Sequence, residues 1–347
     1  MAYPELNERE RRVLEAVIQS YVETAQPAGS HAIARRFGLG VSPATIRNTM
    51  SDLEEKGMLF HPHTSAGRVP TDVAYRVYVD SLIQRPAMQQ QEQDRLTAEI
   101  AAGGSAVEGI LRRAAQSLGV ITQELGIALG PRLDNSILER LDLVRLSSER
   151  ILVALTLAGG SVRTIFVEAK GEVADAALAE VTRVLNERLA GSTLRDIRMS
   201  LGKRLRDSGQ TPNAAELLNV FIEEGEQLFD VAMQGQVDGV LLGHASVLAE
   251  QPEFASANNM RKLVALTETR EDLADLLRKR SDVGGITISI GAEHNDPRLE
   301  KFTVVTAQYH AAGLSGVIGV IGPTRMPYEK VISLVTHTSK LITELLE

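Results

Sequence analysis

The run Gly38-Leu39-Gly40-Val41-Ser42-Pro43 constrains this chain more than any other stretch. Two glycines one residue apart supply a tight turn. Ser42 can then cap a helix whose first position is Pro43, where a missing N–H costs nothing. Helical periodicity flanks the turn on both sides. Upstream, Ser30 is expected to cap a short helix with Ile33 and Phe37 inward. Before it, Val13, Leu14, Val17, Ile18 and Tyr21 recur at helical spacing behind an Asn7/Glu10 capping pattern, and Gln26-Pro27-Ala28-Gly29 breaks that helix. Downstream, Ile46, Met50 and Leu53 fall at i, i+4 and i+7 and mark an inward face, and Gly57 ends the helix. Met58-Leu59-Phe60 and Arg68-Val69-Pro70 then read as two short strands around the polar loop 61–67. Thr71 starts a fourth helix carrying Val73, Val77 and Tyr78, and Pro86 closes the unit. Helix, helix, turn, helix and a two-stranded wing predict a winged helix-turn-helix over residues 1–86.

Fixing the inward face of the third helix leaves Ala44, Thr45, Arg47, Asn48 and Ser51 outward. A plain solvent face would carry Glu and Lys. These types instead pair with base edges or phosphates: Arg47 can take guanine bidentately and Asn48 adenine. Ser42, Thr45, Arg47, Asn48 and Ser51 are therefore candidate DNA-binding residues, with His61, His63, Thr64 and Arg68 of the wing beside them. Charge supports this by its distribution rather than its sum. The chain carries a net charge of −8, but residues 1–85 are neutral, and no acid occurs in Thr24–Ser51 or Lys56–Thr71. A metal reading of His61 and His63 lacks a third and fourth ligand, since there is no cysteine and the loop holds no carboxylate. Backbone contacts to DNA suit the pair better.

The rest of the chain changes character. Residues 87–104 are expected as a linker helix ending at Gly103-Gly104, followed by an amphipathic helix with Ile110, Leu111, Ala114, Leu118 and Ile121 on one face. Residues 137–145, 151–157 and 162–167 read as an antiparallel meander. Helices follow over 174–189 and 214–233, with a charged stretch at 203–207 between them. Strand-like runs return at 239–242, 286–290, 302–308 and 316–321, and a last helix covers about 327–346. A helical block interrupting a sheet predicts an α+β multidomain chain with an inserted domain. At 347 residues, two or three domains are natural. Catalytic signatures do not emerge. Gly313–Arg325 lacks the Gly-Lys-Ser/Thr ending of a phosphate loop, and Glu223-Glu224 reads as a solvated face. With zero cysteines, no run of 18 apolar residues and no signal-peptide pattern at the start, the expectation is a cytoplasmic protein without a membrane span, catalytic centre, cofactor or metal.

Four segments together resemble one family: Ser42-Pro43-Ala44-Thr45-Ile46-Arg47-Asn48, Thr64-Ser65-Ala66-Gly67-Arg68-Val69-Pro70-Thr71, Ile290-Gly291-Ala292-Glu293 and Gly319-Val320-Ile321-Gly322-Pro323-Thr324-Arg325-Met326. In this order they are similar to the heat-inducible transcription repressor HrcA family, over nearly the whole chain. The resemblance implies a homodimeric repressor of an inverted-repeat operator, CIRCE, ahead of chaperone operons, relieved on heat shock and supported by a GroEL-type chaperonin. It also implies a GAF-like domain over 105–171 and 236–347, interrupted by an inserted dimerisation domain over 172–235. Two other readings stand beside it: a winged-helix regulator whose C-terminal part senses a small metabolite, and an interaction protein with no sequence-specific DNA role.

Overall fold

The computed structural model describes residues 4–63, 67–82, 90–102, 107–131, 133–158, 162–168, 173–206, 212–233, 239–268, 270–281, 283–311 and 314–346. The chain is α+β and divides into two compact units. Unit 1 comprises Met1–Ala128, Leu241–Gln308 and Val317–Leu341, and unit 2 comprises Leu129–Val240, Tyr309–Gly316 and Ile342–Glu347.

Unit 1 opens with α1 (Glu8–Thr24), α2 (Ser30–Phe37) and α3 (Pro43–Glu55). Asn7 and Glu10 form the expected reciprocal cap on α1: Glu10 N–H donates to Asn7 Oδ1 at 3.0 Å and Asn7 N–H to Glu10 Oε2 at 2.9 Å. Helix α2 departs from expectation at its start. Gly29, not Ser30, is the cap residue, with no side-chain bond, and Ile33 N–H closes the first turn on Gly29 O. Strands β1 (Leu59–Phe60) and β2 (Val69–Pro70) pair antiparallel, Phe60 opposite Val69. Thr71 caps α4 (Asp72–Val77), accepting from Ala74 N–H at 3.2 Å, and a π-helical turn, Tyr78–Leu82, continues it. Val13, Leu14, Val17, Ile18, Ile33, Ile46, Met50, Leu53 and Met58 are buried as spacing predicts, whereas Tyr21 and Phe37 are half-buried and Val73, expected as an apolar contact of the fourth helix, is exposed.

Helices α5 (Gln90–Ala101) and α6 (Val107–Thr122) lead to a five-stranded sheet. Its strands are β3 (Leu125–Leu129), β7 (Val240–Leu242), β8 (Ile286–Ile290), β9 (Phe302–Ala311) and β10 (Leu314–Pro323), in the order β7-β3-β10-β9-β8. β9 and β10 are buried along nearly their whole length, as strands covered on both faces must be. Between β7 and β8 lie α10 (Ser246–Ala249), a short 3-10 turn at Pro252–Phe254, α11 (Ala257–Glu268) and α12 (Arg270–Ser281). Helix α13 (Tyr328–Leu346) ends the chain as expected.

Unit 2 holds the meander β4 (Leu138–Arg145), β5 (Arg150–Leu157) and β6 (Val162–Glu168) as a separate three-stranded sheet. With it come α7 (Asp175–Leu189), α8 (Leu194–Leu205) and α9 (Pro212–Met233). Sequence grouping put the meander with residues 105–171 and the helices in a domain of their own. Their shared core explains why they sort together: Leu141, Val153, Leu155 and Ile165 of the strands bury with Val181, Leu185, Ile197, Leu217 and Phe221 of the helices. The other sheet face carries a row in register, Val144 opposite Leu152 and Leu152 opposite Phe166. Val144 and Phe166 are exposed. On β4, the Asn186 side chain brackets the outer edge: Leu141 N–H donates to Asn186 Oδ1 at 2.9 Å, and Asn186 Nδ2 donates to Leu141 O at 2.6 Å.

Candidate nucleic-acid interface

The candidate surface is built on the N-terminus of α3. Ser42 Oγ accepts from Thr45 N–H at 3.1 Å and lies 3.0 Å from Thr45 Oγ1, so the two hydroxyls fix each other at the helix start. Thr49, buried, donates its hydroxyl to Thr45 O at 3.1 Å, and Ile46, Met50 and Leu53 anchor the inward face. Arg47, Asn48 and Ser51 stand exposed on the opposite side. Among the described residues, no hydrogen bond or ion pair engages their side chains. Their neighbours on that face turn acidic only at Asp52 and Glu55, so the first two turns of α3 are free of carboxylates.

The hairpin is tied to α3 through Glu54, a residue that the outward-face reading overlooked. Arg68 Nη2 lies 2.8 Å from Glu54 Oε2, and His61 Nδ1 lies 3.3 Å from Glu54 Oε1. Arg68 also exchanges backbone bonds with Ala28, N–H to Ala28 O at 2.9 Å and Ala28 N–H to Arg68 O at 2.8 Å. Gly67 is needed for that approach, because a Cβ there would stand 2.4 Å from the Ala28 carbonyl carbon. Arg68 is thus turned inward, its side chain only 13% exposed, and a phosphate contact from it must compete with Glu54. His61 and His63 are exposed, and Thr64 lies outside the described residues.

A second tie braces α1 against α3. Lys56 Nζ donates to Glu10 Oε1 at 2.9 Å, to Glu10 Oε2 at 2.8 Å and to Glu5 O at 3.0 Å. Burial opposes ionising Glu10, but Lys56 and the Asn7 N–H outweigh it and hold its carboxyl below the usual carboxylate range. Two further cations come near the turn. Arg9 and Arg12 line an open concavity of about 520 Å³ with Leu39 and Val41. Their i, i+3 spacing on α1 was the only available signal, and the acids of the same helix masked it. Arg35 on α2 is exposed as well.

A capped helix offering an unengaged Arg-Asn-Ser face beside a short hairpin is an arrangement of DNA-binding regulators of transcription. Residues 108–332 match the family model described as HrcA protein C terminal domain. The chain is 41% identical over 347 aligned positions to the heat-inducible transcription repressor HrcA of Chlorobium phaeobacteroides (strain BS1), covering 97% of each chain. It is 37% identical to the protein of the same name from Geobacter sulfurreducens, covering 99% of each. The chain therefore belongs to the HrcA family of heat-inducible transcription repressors. A crystal structure described as that of a hypothetical protein at 2.2 Å resolution shares the fold, with a TM-score of 0.60, 24% identity and 99% of both chains covered. Among the described residues, no helix is long and apolar enough to cross a membrane.

Proposed function

We propose that residues 1–86 form a winged helix that reads one half of an inverted-repeat operator, CIRCE, upstream of class I heat-shock operons in the cytoplasm. Helix α3 enters the major groove with Arg47 and Asn48 toward base edges, and Ser42, Thr45 and Ser51 sit near the backbone. His61, His63 and Thr64 of the wing, with Arg68 once it leaves Glu54, face the flanking phosphates. The observation that carries this reading is the outward face of α3, free of acids over its first two turns, where the side chains of Arg47 and Asn48, like Ser51 beyond them, have no partner among the described residues in a module otherwise laced with ion pairs.

The remainder of unit 1 is read as GAF-like and unit 2 as the inserted dimerisation domain. The row of exposed Val144, half-buried Leu152 and exposed Phe166 supports that role, since a second copy would cover it. A homodimer places two α3 helices on successive major grooves, and warming depletes it because folded dimer depends on concentration. A GroEL-type chaperonin restores the active form while it is not occupied by other clients.

Selection of duplexes from random DNA tests the reading. An inverted repeat should emerge, and Arg47→Ala or Asn48→Ala should relax one position of each half. Recovery of no repeat would leave the interaction-protein reading. The ligand-sensing alternative has one observation in its favour, a cavity of about 800 Å³ lined by Leu266, Leu273, Leu276 and Leu299 with Lys262 and Lys279 at its wall. Thermal stabilisation by a metabolite pool would favour that reading.

A further inference from the structure

Two of the four family-like stretches, 290–293 and 319–326, have no place on the α3 surface. Both meet the N-terminal module inside unit 1. We propose that they form a cradle fixing the orientation of this module against the rest of unit 1, so that Arg76, Glu293, Arg325 and Glu253 are positioning residues for operator reading. The inference rests on α3 being the recognition helix.

The module is held at three separated places. At the first, Arg76 of α4 grips Glu293 with two bonds, Nε to Oε1 at 2.7 Å and Nη2 to Oε2 at 2.5 Å, and gives Nη2 also to Ile288 O at 2.8 Å. Glu293 is held in turn by Ile290 N–H at 2.8 Å. Beside it, Ala292 N–H donates to Asp72 at 3.2 Å. Gly291 permits this approach: its φ is +52° and a Cβ would lie 1.9 Å from Asp72 Oδ2. At the second place, Arg325 reaches the end of α1. Its Nη1 donates to Val22 O at 2.6 Å, one of the last-turn carbonyls that α1 cannot satisfy itself. The same guanidinium takes Glu253 bidentately, at 2.5 and 3.0 Å. At the third, Tyr78 donates to Glu329 at 2.9 Å and the Tyr75 ring lies 5.6 Å from that of Tyr328.

The ties take hold of the module at α1 as well as along α4 and its π-helical continuation, and attachment at two elements fixes a rotation as well as a distance. Packing alone does not. The seam holds an open cleft of about 470 Å³ between Tyr21, Phe60 and Val69 on the module and Phe254, Phe302 and Pro323 opposite, with Glu300 and Lys301 also on its wall. The Tyr75 hydroxyl, fully buried beside it, has no hydrogen-bond partner. A seam with such a gap tolerates tilting, whereas paired forks do not. Both pairs are mostly shielded from solvent on their arginine side, each arginine side chain being 14% exposed, which limits screening. Tilt passes straight to the reading surface: Thr71, which caps α4, follows directly on β2 of the hairpin, and Lys56 locks α3 to α1.

For a dimer reading two half-sites, module orientation sets which spacing is read. One base pair of spacer moves a half-site by about 3.4 Å and rotates it by roughly 35°. The test uses the full chain with Glu253→Gln and Glu293→Gln together, which neutralise both pairs and keep the side-chain shapes. Inverted repeats with constant half-sites and spacers varied one base pair at a time report affinity. Wild type should lose about tenfold or more per base pair away from its best spacer, and the double variant less than about threefold, because looser modules reach more geometries. Affinity for a duplex with a single half-site should not change.

In parallel, the absence of cysteine allows spin labels at Ala32→Cys and Glu271→Cys, both exposed, in labelled chain diluted with unlabelled chain. The label distance should be narrow in wild type and broad in the double variant. An unchanged distance distribution overturns the cradle whatever the DNA result. Broadening with an unchanged spacer profile overturns its role in reading. Broadening in a chain that binds no inverted repeat upholds the cradle and sinks the recognition-helix reading instead.

Discussion

Lys56→Met is the sharpest test of how the N-terminal module is braced. Lys56 makes three bonds, two of them to a carboxylate whose side chain is only 6% exposed. Removing the ammonium leaves Glu10 with only the Asn7 N–H to set against its burial penalty. Breaking a fully buried pair costs about 3–5 kcal/mol. Lys56 itself is 32% exposed, so water can replace part of its contribution, and about 2–3 kcal/mol is the appropriate size. The pH dependence is more telling than the size. In wild type the Glu10 pKa is lowered, so its contribution is present above the ordinary carboxylate value and lost as pH falls through the folded value. In Lys56→Met only burial and the Asn7 bond remain. Burial dominates, the pKa rises, and ionisation then opposes folding. The gap between the two proteins should be widest near neutral pH and close toward acid. Hydrogen exchange of α1 and α3 amides measures it locally, which avoids assuming that a chain of two units unfolds in one step. A gap that stays constant from pH 4 to pH 7 would refute the reasoning.

Other perturbations have equally definite signs. Arg47→Ala and Asn48→Ala should each weaken operator binding by about 1–3 kcal/mol and flatten preference at one base pair, read by titrating single-site duplex variants. Glu54→Gln releases Arg68 and His61 toward the phosphates, so non-specific duplex binding should tighten and its salt dependence steepen by up to about one counterion; an unchanged slope removes Arg68 from the phosphate contacts. Glu124 is buried, and burial raises its pKa well above the ordinary 4.5, against a bond from Gln251 that lowers it. Its contribution is therefore full below that value and lost as pH rises through the elevated one. Thermal melting of Glu124→Gln should exceed wild type by a margin that grows with pH, and a shrinking margin would contradict the assignment.

Local chemistry made part of this architecture legible. Asn7 with Glu10 announces one helix start through atoms three residues apart, Ser42 followed at once by Pro43 announces another, and the meander announces itself by alternation. Strand β3 gave no such signal. Its five residues are all buried and follow α6 with only Gln123 in a left-handed turn, at φ 61°, to mark the change. Helices α11 and α12 were equally quiet, because Leu263, Leu266, Leu273 and Leu277 are thin stripes in polar segments. At the candidate site, the outward face of α3 could be read because its inward face was fixed by spacing. Glu54 could not, since its meaning depends on Arg68 arriving from across a hairpin. Glu293 and Arg325 were visible as parts of motifs but not as partners of residues more than 200 positions away.

The Asn186 bracket on β4 bears on how copies of this chain can meet. With Leu141 N–H and O both taken by one side-chain amide, Leu138 N–H and O engaged by Ser192 and Gly191, and a register irregularity between Leu138 and Arg140, the first half of that border of the sheet is closed to an incoming strand. Ladder growth of the kind that builds fibres is disfavoured where those groups are taken. In the proposed dimer the contact falls on the broad side, where Val144, Leu152 and Phe166 sit in line, and a face-to-face contact of that kind closes after two copies instead of propagating.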